Sequence, residues 1–503
     1  MNAFHKFLLI FIPLLVITSV LSGCAVIPVS DEELDAMGAD VYKNMIDQYG
    51  VYRDTKLDSY VQSIGKRVEA SSDYSGKPIT FTVLDTPMVN AFSVPGGYVF
   101  VTRGLIARAN SESELAYVVG HEIGHLTARH AAQRISQLRT SGFFSSILGY
   151  YVAGQTKDAQ LANLAASVVD FSSALVILNY GRDQELQADR LGLSYSYAAG
   201  YNPMDGAQFL KTLEVMEGSK GDKDALSMLL ATHPPTKDRV RAARDENKEL
   251  VSAESTSLKS LEVNRDGYLK WINGIVLGES VETGIVTNEV YYNKPYKFFL
   301  KTPKGWEITV ARNYHAGIYQ KSGDSLLWYM LVYAETGEAS ASLDVYATDF
   351  LRGKLNDDKY KPSFNSYQFL GLPSLRSEYT DSSGVSTKTC FFKKDNLYYV
   401  LLFKHGKGLD DFNKKFEIAM SNFGFMDKVQ MDRISEDKLR LYAAGGKDTF
   451  ASVCLKYYGD GKYKNDLMLY NGFFDQAHSA GSLEGSVKTG TILKMPEAEY
   501  LKD

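Results

Sequence analysis

Apolar residues in "DEELDAMGADVYKNMIDQYG" and "LDSYVQSIGKRVEA" recur at helical spacing, whereas "ITFTVLD" and "YVFVTRGL" read as strands, with the turn residues Pro95-Gly96-Gly97 just before the second. Ser111 followed by Glu114 predicts a capping box, and the apolar run Leu115 to Val119 carries that helix on to His121. A second helix is predicted in "GRDQELQADRLG" and a charged one in "TKDRVRAARDENKEL", after which the polar "VSAESTSLKS" reads as a linker. Beyond it, "YYNKPYKFFLKTPKGWEITV", "LLWYMLVYAE" and "STKTCFFKKDNLYYVLLFK" are aromatic strand patterns, closed near Phe425 by a helical "LDDFNKKFEIAMSNF". The pattern predicts an α+β chain: a first unit over 24–250, a β-rich α+β unit over 262–428 and a small unit over 432–503.

Three apolar stretches need separate accounts. His5 and Lys6 precede a run from Phe7 to Leu21 that is short for a membrane span of about 20 residues, so residues 1–23 read as an export signal. The stretch "GFFSSILGYYVAG" is also too short, and Asp170 and serines interrupt "LANLAASVVDFSSALVILNY". Both read as helices, near Phe143 and Val176, packed over the first unit.

At 503 residues the chain is too long for one ordinary core. A net charge of −5 gives no broad footprint for nucleic acid, which is disfavoured as a partner. Cys24 follows the export signal in "LSGC", which resembles a bacterial lipobox; the resemblance implies cleavage before Cys24, lipidation of its thiol and a membrane anchor. Ala25 then favours the outer membrane by analogy. Cys390 and Cys454 remain, too few and too far apart for a disulfide framework, and read as buried thiols.

The chemistry concentrates in "GHEIGHLTARH", Gly120 to His130. His121 and His125, four apart on one helical face, can converge on one cation, and Glu122, one residue round, can serve as general base toward a water there. Gly124 would allow close approach of a neighbouring strand. His130 lies nine residues from His121; at about 100° per residue a continuous helix turns it to the opposite side, so it reads as structural. Downstream, Glu185 and Asp189 are four apart on the second helix, so one carboxylate can bind the metal while the other orients a ligand histidine. Two histidines, one carboxylate and an open fourth position describe a catalytic zinc site.

The segments "NAFSVPGGYVFVTRGL", "HEIGHLTARHAAQR", "RDQELQADRLG" and "THPPTKDR" occur in the order typical of one zinc peptidase family. Residues 30–250 resemble the group containing HtpX and the CAAX prenyl protease, and within it the soluble periplasmic BepA-like members. The resemblance implies a mainly helical zincin-type metallopeptidase domain with a small sheet, one Zn2+ held by His121, His125 and Glu185, Glu122 as base, and Asp189 supporting a ligand. It implies that the strand with Asn90, Ala91, Phe92 and Ser93 flanks the cleft and pairs with an extended peptide. It also implies that His233, in "ATHPPTKDR", can approach zinc as a reversible latch or a transition-state ligand, with Arg239 on the next helix fixing that segment.

The middle unit carries "FFLKTPKGW", similar to the strand opening of PsbP-like domains, and no catalytic constellation. The last unit resembles a LysM module in "GGKDTF", "KYYGDGKY", Asn471 and "TGTILKMP", but Lys447 replaces an expected glycine and "FFDQAHSAGSLEGS" is a long insertion. Peptidoglycan binding and protein contact both stay open. The chain thus reads as a lipid-anchored zinc endopeptidase of the periplasmic cell envelope that cleaves misfolded or stalled envelope proteins, or else as a mostly latent protease acting as a chaperone or assembly scaffold for outer-membrane proteins.

Overall fold

The computed structural model describes residues 29–140, 179–218, 223–233, 237–253, 261–311, 314–322, 325–337, 341–355, 359–380, 385–405, 411–474 and 486–501. The export signal, Cys24, the apolar stretches around Phe143 and Val176 and most of the expected linker lie outside these residues. Among the described residues, no helix is long and apolar enough to cross a membrane.

The first region opens with helices α1 (Asp31–Tyr49) and α2 (Thr55–Glu69), capped by Ser30 and Asp54. A three-stranded sheet follows: β1 (Thr80–Leu84), β2 (Ala91–Val94) and β3 (Tyr98–Thr102), in the order β1-β3-β2. β1 runs parallel to β3 and β2 antiparallel to it, so β2 lies at an edge. Helix α3 (Arg103–Arg108) leads directly into α4 (Glu112–Thr127), which carries "HEIGH".

The start of α4 is capped as the sequence suggests on one side only. Ser111 Oγ accepts from the Glu114 amide at 3.1 Å, but the Glu114 carboxylate reaches one residue further back, to the Asn110 amide at 2.8 Å. α4 is buried from Glu112 through His125, its carboxylates and histidines included.

Two expectations about α4 are corrected. Gly124 faces a helix rather than a strand: a Cβ there would lie 3.1 Å from Leu191 Cβ and 3.2 Å from the Ala188 carbonyl. These belong to α6 (Arg182–Ala198), and at the same crossing a Cβ on Gly192 would stand 2.7 Å from the His121 nitrogen. α4 also does not continue to His130. Arg129 turns left-handed at φ 56°, and His130 begins a new helix, α5 (His130–Thr140). The break at Arg129 brings His130 back to His125, where a straight helix would have carried it to the far side.

Helices α7 (Met204–Gly218), α8 (Lys223–Thr232) and α9 (Lys237–Ala253) complete this region. α10 (Arg265–Ile272) falls beyond the expected boundary at 262 yet joins the first core with Tyr268, Leu269 and Ile272. Tyr201 and Glu262 form a parallel bridge, and the buried Arg103 pairs with Asp85 and donates to the Val276 carbonyl.

The middle region holds β4 (Ile285–Thr287), β5 (Val290–Asn293), β6 (Phe298–Lys301), β7 (Glu307–Ala311), β8 (His315–Ser322) and β9 (Ser325–Thr336). It continues through α11 (Leu343–Leu355), β10 (Asn365–Phe369), β11 (Leu372–Thr380), β12 (Ser386–Lys394), β13 (Leu397–His405), α12 (Phe412–Ser421) and β14 (Phe423–Phe425). Seven strands form an antiparallel sheet in the order β10-β11-β12-β13-β9-β8-β7, and β14-β6-β5-β4 form a smaller one. Met330, Val332, Tyr399 and Leu401 pack on the face shared with Phe416 and Phe423, whereas Tyr329, Leu331, Val400 and Leu402 pack on the face shared with Ala347 and Leu351. Burial on both faces explains why β13 reads as an unbroken apolar run.

The last region runs α13 (Lys428–Arg433), β15 (Arg440–Ala443), α14 (Phe450–Tyr458), α15 (Lys464–Tyr470) and β16 (Ile492–Met495), with β15 and β16 antiparallel. Phe450, Val453, Leu467, Met468 and Leu493 belong to the same apolar core as Leu115, Val119 and Ile123 of α4. Cys390 and Cys454 are free and buried.

Candidate metal centre

The crossing of α4 and α6 brings together residues that the sequence holds more than fifty positions apart. His121, His125, Glu185 and His233 are all buried and offer ligand atoms within 4.8 Å of one another. His125 Nε2 lies 3.0 Å from His121 Nε2 and 3.4 Å from Glu185 Oε1, and His121 Nε2 lies 3.7 Å from Glu185 Oε2. An ion held tetrahedrally by bonds of about 2.0–2.1 Å keeps its donors about 3.3 Å apart, so this triangle has the size zinc needs.

The outer ring nitrogens are occupied elsewhere. His121 Nδ1 lies 2.9 Å from Asp189 Oδ1, an electrostatic contact more than an aligned hydrogen bond. His125 Nδ1 is 2.8 Å from His130 Nδ1, whose other nitrogen reaches Gln187 Oε1 at 3.2 Å. Both Nε2 atoms are thereby left facing the centre, the arrangement in which a partner at the far nitrogen fixes the ligand tautomer. Burial holds His125 well below the usual histidine range, which keeps it neutral.

Glu185 and Asp189 are kept as carboxylates. Burial alone would raise Glu185, but His233 and Arg239 beside it hold it well below the usual range. Burial likewise opposes ionisation of Asp189, and Arg239 outweighs it. Arg239 Nη1 lies 2.9 Å from Glu185 Oε2, while Tyr117 donates its hydroxyl to Asp189 Oδ1 at 2.7 Å.

His233 stands just past the end of α8, its amide donating to the Leu229 carbonyl. Its Nε2 is 3.2 Å from the Ala91 carbonyl of edge strand β2 and 3.5 Å from Glu122 Oε1. Its Nδ1 is 3.1 Å from Glu185 Oε1 and 3.4 Å from His121 Nε2. Burial pulls His233 down, yet the carboxylates of Glu185 and Glu122 beside it raise it to about 9. Glu122 Oε2 is buried with no hydrogen-bond partner among the described residues.

The expected strand residues are next to this cluster but differ in character. Ala91 offers its carbonyl to His233, whereas Phe92 is a core residue stacked on Phe100 at 4.9 Å. The side chains of Asn90 and Ser93 are buried without hydrogen-bond partners among the described residues. Two contributors escaped the sequence reading. Tyr117 stands four residues before His121 on the same face, a signal that was available. Tyr180 stacks on His125 at 4.1 Å and had no signal beyond closing an apolar run.

Comparison with known proteins bears on the same stretch. Residues 55–247 match the model of peptidase family M48. A beta-barrel assembly-enhancing protease of Yersinia pestis is 31% identical over 221 residues, 43% of this chain and 44% of that one, and that of Escherichia coli is 29% identical over 198 residues, 38% and 39%. The mitochondrial metalloendopeptidase OMA1 of Schizosaccharomyces pombe is 31% identical over 210 residues, 41% of this chain and 58% of that one. The chain therefore spans about half, or less, of the length of these relatives. A solved structure from Bacteroides thetaiotaomicron is aligned over 39% of this chain at 13% identity and a TM-score of 0.23, too distant to bear on the fold. The matched span contains every residue of the buried cluster and of its supports, so the likeness to peptidase family M48 falls on the metal centre itself.

Proposed function

We propose that the chain is a zinc-dependent endopeptidase of the cell envelope, held at a membrane by lipid on Cys24 and acting on misfolded or stalled envelope proteins. The observation that carries the reading is the convergence of His121, His125 and Glu185 with the unpartnered Glu122 Oε2 beside them. His121, His125 and Glu185 would hold the ion, which when bound would supply Lewis acidity to a scissile carbonyl and a water. Glu122 accepts the water's proton at Oε2 and returns it to the leaving amine. Asp189 and Tyr117 orient His121, His130 orients His125, and Arg239 keeps Glu185 and Asp189 ionised. The sheet-edge strand β2 around Ala91 accepts an extended substrate backbone when His233 releases the Ala91 carbonyl.

The relatives named for enhancing β-barrel assembly support envelope proteins as substrates. A second reading, a mostly latent protease acting as a scaffold, is favoured by His233, whose Nδ1 faces the ligand atoms where a fourth ligand would stand. The last region can serve as contact for peptidoglycan or for protein. Glu122→Gln separates the two main readings: loss of hydrolysis of an unfolded protein together with loss of complementation supports the enzyme, while full complementation by that inactive variant supports the scaffold. Membrane fractionation of a Cys24→Ala variant carrying a replacement signal tests the anchor, and continued pelleting would refute it.

A further inference from the structure

The short turn between α3 and α4 is held by its own caps and, at its carbonyls, by residues from far downstream. α3 leaves its last carbonyls without helical partners, as every helix does. Lys494, on the final strand β16, is fully buried and sends its Nζ to three of them, the carbonyls of Ala107, Arg108 and Ala109, at 3.1, 2.9 and 3.0 Å. Tyr268 donates to the Ile106 carbonyl at 2.6 Å, and Arg265 donates to the Asn110 carbonyl at 3.1 Å. Asn471 fixes Lys494 in turn: its Oδ1 accepts from the Lys494 amide at 2.7 Å and its Nδ2 donates to the Lys494 carbonyl at 3.0 Å.

We propose that the C-terminal region, through Lys494, positions the helix that carries His121, Glu122 and His125. A lysine amine is placed in a dry interior only where carbonyls meet it, and here Nζ lies within hydrogen-bond distance of three carbonyls of one turn, although burial and the nearby Arg265 push the amine well below the usual lysine range. That turn ends at Ser111, where α4 begins. His121 is ten residues further on, about 15 Å along a buried helix at 1.5 Å per residue. α4 is one unbroken helix from Glu112 through Glu122, and its close crossing with α6 fits only one setting, so displacement of its start strains the seat of Glu122. A misplacement of about 1 Å in a reacting group can cost on the order of 100-fold in rate. Lys494 is thus a positioning residue, and the C-terminal region is a working part of the metal centre rather than an appendage. The coupling to α4 stands on geometry alone; its effect on turnover rests on the peptidase reading.

The test is Lys494→Met in the full chain, which keeps the bulk and removes the donors. Amide hydrogen exchange is followed in residues 112–123 and, as reference, in residues 386–405 of the middle sheet. The expected result is exchange at least 10-fold faster in α4 with the reference unchanged, one zinc retained per chain, and kcat lowered about 10-fold at unchanged KM. Unchanged exchange in α4, or an equal rise in both segments, would overturn the proposal and leave Lys494 a general stabiliser. If Lys494→Met does not fold, Arg265→Gln removes the donor on the other side of the turn and carries the same expectation. Absence of zinc-dependent hydrolysis by the parent chain would count against the proposed function, while the exchange result would still decide the coupling.

Discussion

Arg239 grips Asp189 through two bonds, Nε to Oδ2 and Nη2 to Oδ1, both 2.7 Å long, and the same guanidinium touches Glu185 through its third nitrogen. One side chain therefore steadies both a metal-facing carboxylate and the carboxylate behind His121. Replacing Asp189 by Ala strands that buried cation and frees the His121 ring. Zinc affinity, measured by chelator competition, is expected to fall about 10–100-fold. An unchanged affinity would show that Asp189 does not orient His121.

Arg239→Lys keeps the charge but not the fork. A lysine ammonium is a point donor and cannot hold both oxygens of Asp189 and reach Glu185 at once. The variant is expected to bind zinc about 10-fold more weakly, with folding retained by circular dichroism. Parental affinity would mean that charge alone suffices.

Gly192→Ala tests the helix crossing, because the added Cβ would meet the backbone nitrogen of His121 at 2.7 Å. Overpacking of this kind costs about 1–3 kcal/mol, and the shift falls directly on a metal-facing residue. Gly218 has nothing within 4 Å of an added Cβ, so Gly218→Ala serves as the neutral control. Urea midpoints of the two variants should separate clearly; equal midpoints would show that the crossing has room.

His233→Ala removes the group facing the fourth position while leaving His121, His125 and Glu185 in place. Hydrolysis of an unfolded test protein is expected to rise with zinc content unchanged, as the removal of a latch requires. A fall in activity at full zinc occupancy would instead mark His233 as a group that stabilises the transition state.

The centre was legible in the sequence where spacing alone fixes geometry. His121 with His125, and Glu185 with Asp189, are each four apart, and any helix puts such pairs on one face. The position of His130 was not, because a left-handed Arg129 breaks the helix and no glycine announces it. The α+β alternation and the strand runs of the middle region were visible, but the sheet order was not, since β13 is buried on both faces and loses its period. Nothing in the spacing around Lys494 sets it apart from other lysines; only tertiary packing reveals that its amine lies inside.

The bond from Lys494 to the Ala107 carbonyl spans 387 positions. Contacts of such sequence separation form late, after local pairings such as those of β12 and β13 are already in place. During synthesis, α3 and α4 leave the ribosome long before the residues of the last region that complete the first core exist. Lys494 is made long after the α3–α4 turn it bonds, so the helix bearing His121 reaches its final setting only once β16 has been synthesised and docked.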